Sequence, residues 1–453
     1  MAGSTRFTPD RFRKIKGRTT MSTTGITRRR FGALFGTALA APAFIRPAFG
    51  QEADKIRIGF VGPRSGPLGV FGDGDPFLVE RFNATWANGI EIGGKTYGLE
   101  IVLGDTQSDP VRGSQVARDM INGEAIDVMI TASTPETVNP VADACEAAGM
   151  PCLSTSAPWE AFYFGRGGKP GEKTFNWTYH MCFGTSNFVT LYSDQWSKVP
   201  NNKKVGALIP SDADGNAIRA GLIPALQAAG WEIVDPGPYE NGSADFSNHI
   251  NAFKDAGVEV CVCFPFPPDF PVFWRQAAQQ GLAAQLKIMQ MAKAGLFAPE
   301  LEALGPLGYG LHAGAYWHPS FPFASRAVGL SNAELASGYE AASGKQWNQQ
   351  VGATAGLLDA VLAALETSGA PKDKAAVADA MSRLKADTAL GPVDFTTGAM
   401  GGAVQNCTET HLVGVQWNKA AEGPWQFQLD VVSNADHPTV PLTAEMTAYT
   451  LPG

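Results

Sequence analysis

From residue 55 onward, short β-branched runs alternate with amphipathic stretches, and this alternation occurs in two successive blocks. A chain patterned in this way is confined to parallel α/β architecture, because each strand must be followed by a helix that crosses back over the sheet. In the first block the pattern predicts strands over 55–61, 99–105, 126–131 and 150–154, with helices over 76–88, 111–122 and 136–148. Gly89, Gly123 and Gly149 stand just past these helices, where a left-handed residue closes the last turn. Residues 157–184 are aromatic and glycine-rich and read as a crossover. The second block predicts strands over 204–209, 231–234, 258–264 and 286–290, with helices over 216–229, 246–256 and 270–280. Two similar lobes follow, and open parallel sheets bind ligands beyond the carboxyl ends of their strands, so a cleft between the lobes is the expected site.

A chain of 453 residues exceeds what one core usually supports, and its composition, 44% apolar and 17% charged, is that of a packed protein. Charge is unevenly distributed. Residues 1–50 hold ten Lys/Arg and one acid, whereas the other 25 basic and 42 acidic residues of the 35 and 43 in the chain leave a net charge of −17. An acidic body is a poor partner for nucleic acid or an anionic membrane surface. Within the basic segment, Thr27-Arg28-Arg29-Arg30-Phe31-Gly32 precedes an apolar stretch ending near Phe44, too short to span a bilayer, and then Ala48-Phe49-Gly50. This order resembles a twin-arginine export signal, residues 1–50, cleaved before Gln51 and delivering the rest to the periplasm.

Catalytic and metal motifs are sparse. Gly89-Ile90-Glu91-Ile92-Gly93-Gly94-Lys95-Thr96 matches the phosphate-loop pattern, but it follows a predicted helix and precedes a strand, the reverse of what a phosphate cradle requires. The six histidines, at 180, 249, 312, 318, 411 and 437, fall at no metal-ligand spacing, and no Gly-x-Ser-x-Gly elbow is present. Neither a catalytic residue nor a cofactor nor a metal is assigned, and the chain is expected to be no enzyme. Cys261 and Cys263 share one face of a strand and read as buried thiols; Cys145 and Cys152 bracket a turn, which leaves a local disulfide open. Phe264-Pro265-Phe266-Pro267-Pro268-Asp269-Phe270, with Trp159 and Trp177, offers aromatic walls for a ligand.

Taken in order, several segments resemble the periplasmic leucine/isoleucine/valine-binding protein family, the type I solute-binding proteins of ABC importers. They are Ile56-Arg57-Ile58-Gly59-Phe60-Val61-Gly62-Pro63-Arg64-Ser65-Gly66-Pro67, Asn88 to Lys95, Gly104-Asp105-Thr106-Gln107-Ser108-Asp109-Pro110, Ala244-Asp245-Phe246 and Arg275-Gln276-Ala277. The resemblance covers residues 54–432 and implies two Rossmann-like lobes joined by three crossings, with lobe 1 at 54–176 plus 310–408 and lobe 2 at 177–309 plus 409–453. It implies an aromatic beside the ligand at Phe71, a carboxylate-binding loop at Ser133 and Thr134, and a second polar wall at Ser156 and Ala157 next to Trp159. Asp269 matches the acid that bonds a ligand ammonium and is equally placed to cap the helix after it. Three departures are visible: Asp214 precedes Gly215 where an aromatic is usual, His180 replaces an Arg, and Pro158 replaces a hydroxyl. The resemblance further implies hinge closure around an amino acid or a related polar or aromatic compound, and delivery to ABC permease subunits in the inner membrane. Two other readings stand beside it: a ligand-sensing module of a signalling system, which the same fold serves, and an exported cofactor-dependent enzyme.

Overall fold

Strand β1 (Lys55–Gly62) places Ile56, Ile58, Phe60 and Val61 in the core, because its sheet is covered on both faces. The structure, a computed structural model, describes residues 55–452; the predicted export signal lies outside the described residues. The first sheet continues with β2 (Ile90–Ile92), β3 (Lys95–Asp105), β4 (Val128–Ala132), β5 (Cys152–Thr155) and β6 (Thr178–Met181), and ends on the short strand Cys407–Thr408. Its order is β2-β3-β1-β4-β5-β6-(Cys407–Thr408), parallel apart from the β2–β3 hairpin. The second sheet contains β7 (Lys204–Leu208), β8 (Glu232–Val234), β9 (Val260–Cys263), β10 (Ile288–Met291) and β11 (Leu311–Ala315) in the order β8-β7-β9-β10-β11. The antiparallel strands Val413–Lys419 and Phe427–Ser433 extend it at the β11 side. The chain thus forms two mixed, mainly parallel α/β lobes, and it passes between them three times.

Two of these crossings fall later than expected. β6 satisfies the open ladder of β5 in the first sheet, so the first crossing follows Met181 instead of residue 176. β11 pairs with β10 in the second sheet, so the second crossing follows Ala315 instead of residue 309. The third runs from Thr408 to Val413. Edge-strand hydrogen bonding sets these boundaries, and neither the aromatic segment before β6 nor the glycine before β11 displays it in sequence.

The phosphate-loop match is the turn of the β2–β3 hairpin, with Gly93 and Gly94 both at positive φ as a tight two-residue hairpin turn demands. The single helix expected over 216–229 is two, Ala213–Ala220 and Leu222–Ala228, broken at Gly221 three residues before Pro224, which has no N–H to continue the ladder. All six cysteines are free and buried. Helix Gln349–Ser368, for which no element was predicted, is buried along nearly its whole length and packs on β4 and β5. Its apolar residues therefore run all round it, without the one-sided pattern that marks a surface helix.

Candidate functional site

Loops that leave the carboxyl ends of β1, β4, β5, β7, β9 and β10 reach one cavity between the lobes. It holds about 550 Å³ of space unfilled by protein atoms, part of it open to solvent. Phe71 comes from the turn after β1, Thr134 from the loop after β4, Ser156 and Pro158 from the loop after β5, and Phe183 from the first crossing. The second lobe contributes Phe188 and Tyr192 from helix Thr185–Ser197, Asp214 after β7, Phe264 after β9, and Ala292, Lys293 and Leu296 after β10. Tyr316 and Leu412, on the second and third crossings, complete the wall.

Helix Pro135–Ala148 begins at the cavity. Thr134 occupies its N-cap position, yet its side chain makes no capping bond. The buried hydroxyls of Thr131, Ser133 and Thr134 have no hydrogen-bond partner. Buried hydroxyls are rarely left in this state, and at a helix N-terminus they are donors suited to an anionic group. On the neighbouring loop Ser156 adopts φ of 75°, a left-handed conformation that a non-glycine residue takes only under constraint. The Oγ–H of Ser156 donates to Gln350 Oε1 at 3.1 Å, and the Tyr316 hydroxyl donates to the same oxygen at 3.0 Å. His180, buried beneath this loop, bonds Ser154 Oγ through Nδ1 at 2.7 Å and the Ala157 carbonyl through Nε2 at 2.6 Å. Burial, with Arg166 nearby, drives its pKa down to about 3 against the Ala157 bond, so the ring is neutral.

An acidic cluster meets the first turn of helix Pro135–Ala148. Lys293 Nζ lies 2.9 Å from Asp212, 3.3 Å from Asp214 and 3.5 Å from Glu136. Burial disfavours its ammonium, but Glu136, Asp214 and Asp212 outweigh that and raise its pKa. Burial pushes the Asp214 carboxyl up to about 6; Lys293 opposes the shift while Glu136 and Asp212 add to it. Three carboxylates face one ammonium, and two of their oxygens, Asp214 Oδ1 and Glu136 Oε2, are buried without a hydrogen-bond partner. The Tyr192 hydroxyl is in the same condition.

Of the residues anticipated from sequence, Phe71, Thr134 and Ser156 line the cavity. Ser133 is buried and does not line the cavity, Ala157 is engaged through its carbonyl by His180, and Trp159 packs into a separate apolar cluster with its ring against Phe164. Asp269 does not line the cavity. Its Oδ2 accepts the backbone N–H of Gly242 at 2.9 Å, and the helix it precedes receives no side-chain cap from it. The acid at the cavity is Asp214, preceding Gly215, where the family pattern leads one to expect an aromatic. Lys293 and Glu136 were not anticipated. A lone lysine in the apolar run Met291 to Leu296 just past a strand, and an acid directly after the Ser/Thr loop, are the signals that could have marked them.

A family model described as a periplasmic binding protein matches residues 55–420. The chain is similar to the leucine-, isoleucine-, valine-, threonine-, and alanine-binding protein of Pseudomonas aeruginosa, at 24% identity over 266 residues, 57% of this chain and 65% of that relative. It is also similar to the Leu/Ile/Val-binding protein homolog 3 of Brucella melitensis biotype 1, at 23% identity over 363 residues, 80% of this chain and 92% of the other. Among solved structures, a solute binding protein of an ABC transporter from Rhodopseudomonas palustris BisB5, in complex with 3,4-dihydroxy benzoic acid, superposes with a TM-score of 0.67 at 17% identity, over 83% of this chain and 96% of that one.

Proposed function

The chain belongs to the periplasmic binding protein family, and from that premise we propose that it is the substrate-binding component of an ABC importer, capturing a small zwitterion with an apolar body. The observation that carries this reading is the pair of buried polar atoms left without partners on the two sides of one cavity: the hydroxyl of Thr134 on one lobe and Asp214 Oδ1 on the other. Hydroxyl donors at a helix N-terminus suit a carboxylate, and an excess of carboxylates over ammonium suits an amine. Phe71, Phe183, Phe188 and Phe264 would surround the side chain between these groups. An α-amino acid with an aliphatic or aromatic side chain combines all three features. Ligand capture, not bond chemistry, is the task this arrangement supports.

In this reading residues 1–50 direct export through the twin-arginine route, the protein works in the periplasm, and permease subunits in the inner membrane receive its closed form. The closing bodies would be 55–181 with 316–408, and 185–315 with 413–452, hinged at the three crossings.

A second reading has support in the same walls: six aromatic rings line the cavity, counting Tyr192 and Tyr316, and an aromatic acid would stack among them. Thermal shift of the purified protein against leucine, phenylalanine, benzoate and hydroxybenzoates separates the two, since a ligand that binds only the native state raises its melting temperature. Stabilisation by amino acids is expected. Stabilisation by the benzoates alone would replace the zwitterion by an acid, and no shift from any member of the panel would count against both.

A further inference from the structure

Ligand capture accounts for the carboxylates of the acidic cluster but not for the lysine set among them. Lys293 and Asp212, Asp214 belong to the second lobe, whereas Glu136 opens helix Pro135–Ala148 of the first. The side chain of Lys293 is 3% exposed, those of Asp212, Asp214 and Glu136 9%, 7% and 13%. The Phe266 ring flanks the ammonium at 4.7 Å from its centroid. The same Glu136 oxygen that faces Lys293 at 3.5 Å also accepts the backbone N–H of Asp214 at 3.3 Å. One carboxylate oxygen of the first lobe therefore takes two donors from the second.

Charges so enclosed attract one another far more strongly than the same groups on a wet surface. Separating the lobes would strip Glu136 from both of its donors but leave Lys293 with Asp212 and Asp214. The bridge is built so that the lysine stays charged and partnered in either state, and only the contact across the cleft is broken and remade. Glu136 Oε2 and Asp214 Oδ1 stay unpartnered even with the bridge made, so a ligand amine can be added to it without displacing the lysine.

We propose that Lys293, through Glu136, ties the two lobes together before any ligand arrives, so that the resting cleft is closed and a ligand enters only when this bridge transiently opens. The proposal rests on the reading of the cleft as a ligand site, but its first test needs no ligand. A protein whose competent, open form is a minor population shows weakened and slowed binding in proportion.

Small-angle X-ray scattering of the ligand-free protein, of Lys293→Met, of Glu136→Gln and of the double variant is the test. The wild-type curve is expected to match the one calculated from the closed structure. Each single variant should show a larger radius of gyration, and the double variant should be little more open than either, because all three act on the same Lys293–Glu136 pair. Glu136→Gln keeps the shape of the side chain and leaves the second lobe's ion pairs intact, so it reports even if Lys293→Met folds poorly. A ligand-free wild type already as expanded as the variants, or variants as compact as the wild type, would overturn the bridge. Stopped-flow binding of phenylalanine should then be faster in Glu136→Gln than in the wild type, and equal rates would also count against it. Absence of phenylalanine or benzoate binding in every form would instead overturn the ligand-site reading, leaving the scattering result to decide the bridge by itself.

Discussion

His180 donates its Nε2–H to the carbonyl of Ala157 at 2.6 Å while Ser154 bonds its other nitrogen at 2.7 Å. This neutral ring, stacked on Phe162 at 4.3 Å, fixes the backbone just past Ser156, whose left-handed conformation turns its hydroxyl toward Gln350. Replacing His180 by Ala would leave the buried Ala157 carbonyl unpaired, with Ser154 Oγ keeping only the Tyr179 carbonyl at 3.1 Å, and open a ring-sized void. The cost expected is about 3 kcal/mol of stability, measured as a lower urea midpoint with unchanged slope. A midpoint within experimental error of the wild type would show that the loop needs no such anchor.

Asp214 and Asp269 are both acids of the second lobe, but only Asp214 has a free oxygen at the cavity. Removing one partner of a buried, charged hydrogen bond usually costs 10-fold or more in affinity, about 1.5–3 kcal/mol. Asp214→Asn is therefore expected to weaken an amino-acid ligand at least about 10-fold by calorimetry, and Asp269→Asn to leave affinity nearly unchanged because Asp269 serves Gly242. The opposite ranking would return Asp269 to the site.

The contrast between these two acids shows what the sequence can convey. Eight of the first ten strands, all but β2 and β6, and most of the helices that follow them were legible because buried parallel strands are continuous apolar runs and the helices end on glycine. That Phe71, Thr134 and Ser156 stand on the cavity wall was legible because a strand end fixes where the next loop begins. Asp269 lies off the cavity lining, since distance along the chain from Gln276 does not say whether a carboxylate turns to the cleft or to the amide of Gly242. Lys293 and Glu136 lie 157 residues apart and meet only through closure of two lobes, a relationship that no local pattern records. Helix Gln349–Ser368 carries no one-sided periodicity, since it is covered on all sides.

Burial and the neighbouring acids Glu136 and Asp212, opposed by Lys293, set the Asp214 carboxyl at about 6, and this makes ligand affinity pH-dependent. An ammonium ligand needs the ionised carboxylate. As pH falls from 7 to 5 the carboxylate takes a proton, the competent fraction drops, and affinity for an amino acid is expected to fall by about tenfold. Titration calorimetry at pH 5, 6 and 7 checks this, and Asp214→Asn should be flat over the same window. A wild type as flat as the variant would mean that no ligand cation meets Asp214; an affinity rising toward pH 5 would point to an anionic ligand repelled by the ionised cluster.

Gly352 lies in the first turn of helix Gln349–Ser368 with the Trp317 ring pressed against it: a Cβ there would stand 2.0 Å from Cγ of the indole. Trp317 cannot easily retreat, because it is fully buried, its Nε1–H donates to Asn332 at 2.8 Å, and it follows Tyr316 of the cavity wall. Helix propensity alone favours Ala over Gly by about 1 kcal/mol, and overpacking a rigid contact costs about 1–3 kcal/mol or more. The clash is expected to win. Gly352→Ala should therefore lower the melting temperature and, by moving Tyr316, weaken ligand binding as well; a more stable variant with unaltered affinity would show that the indole is free to move.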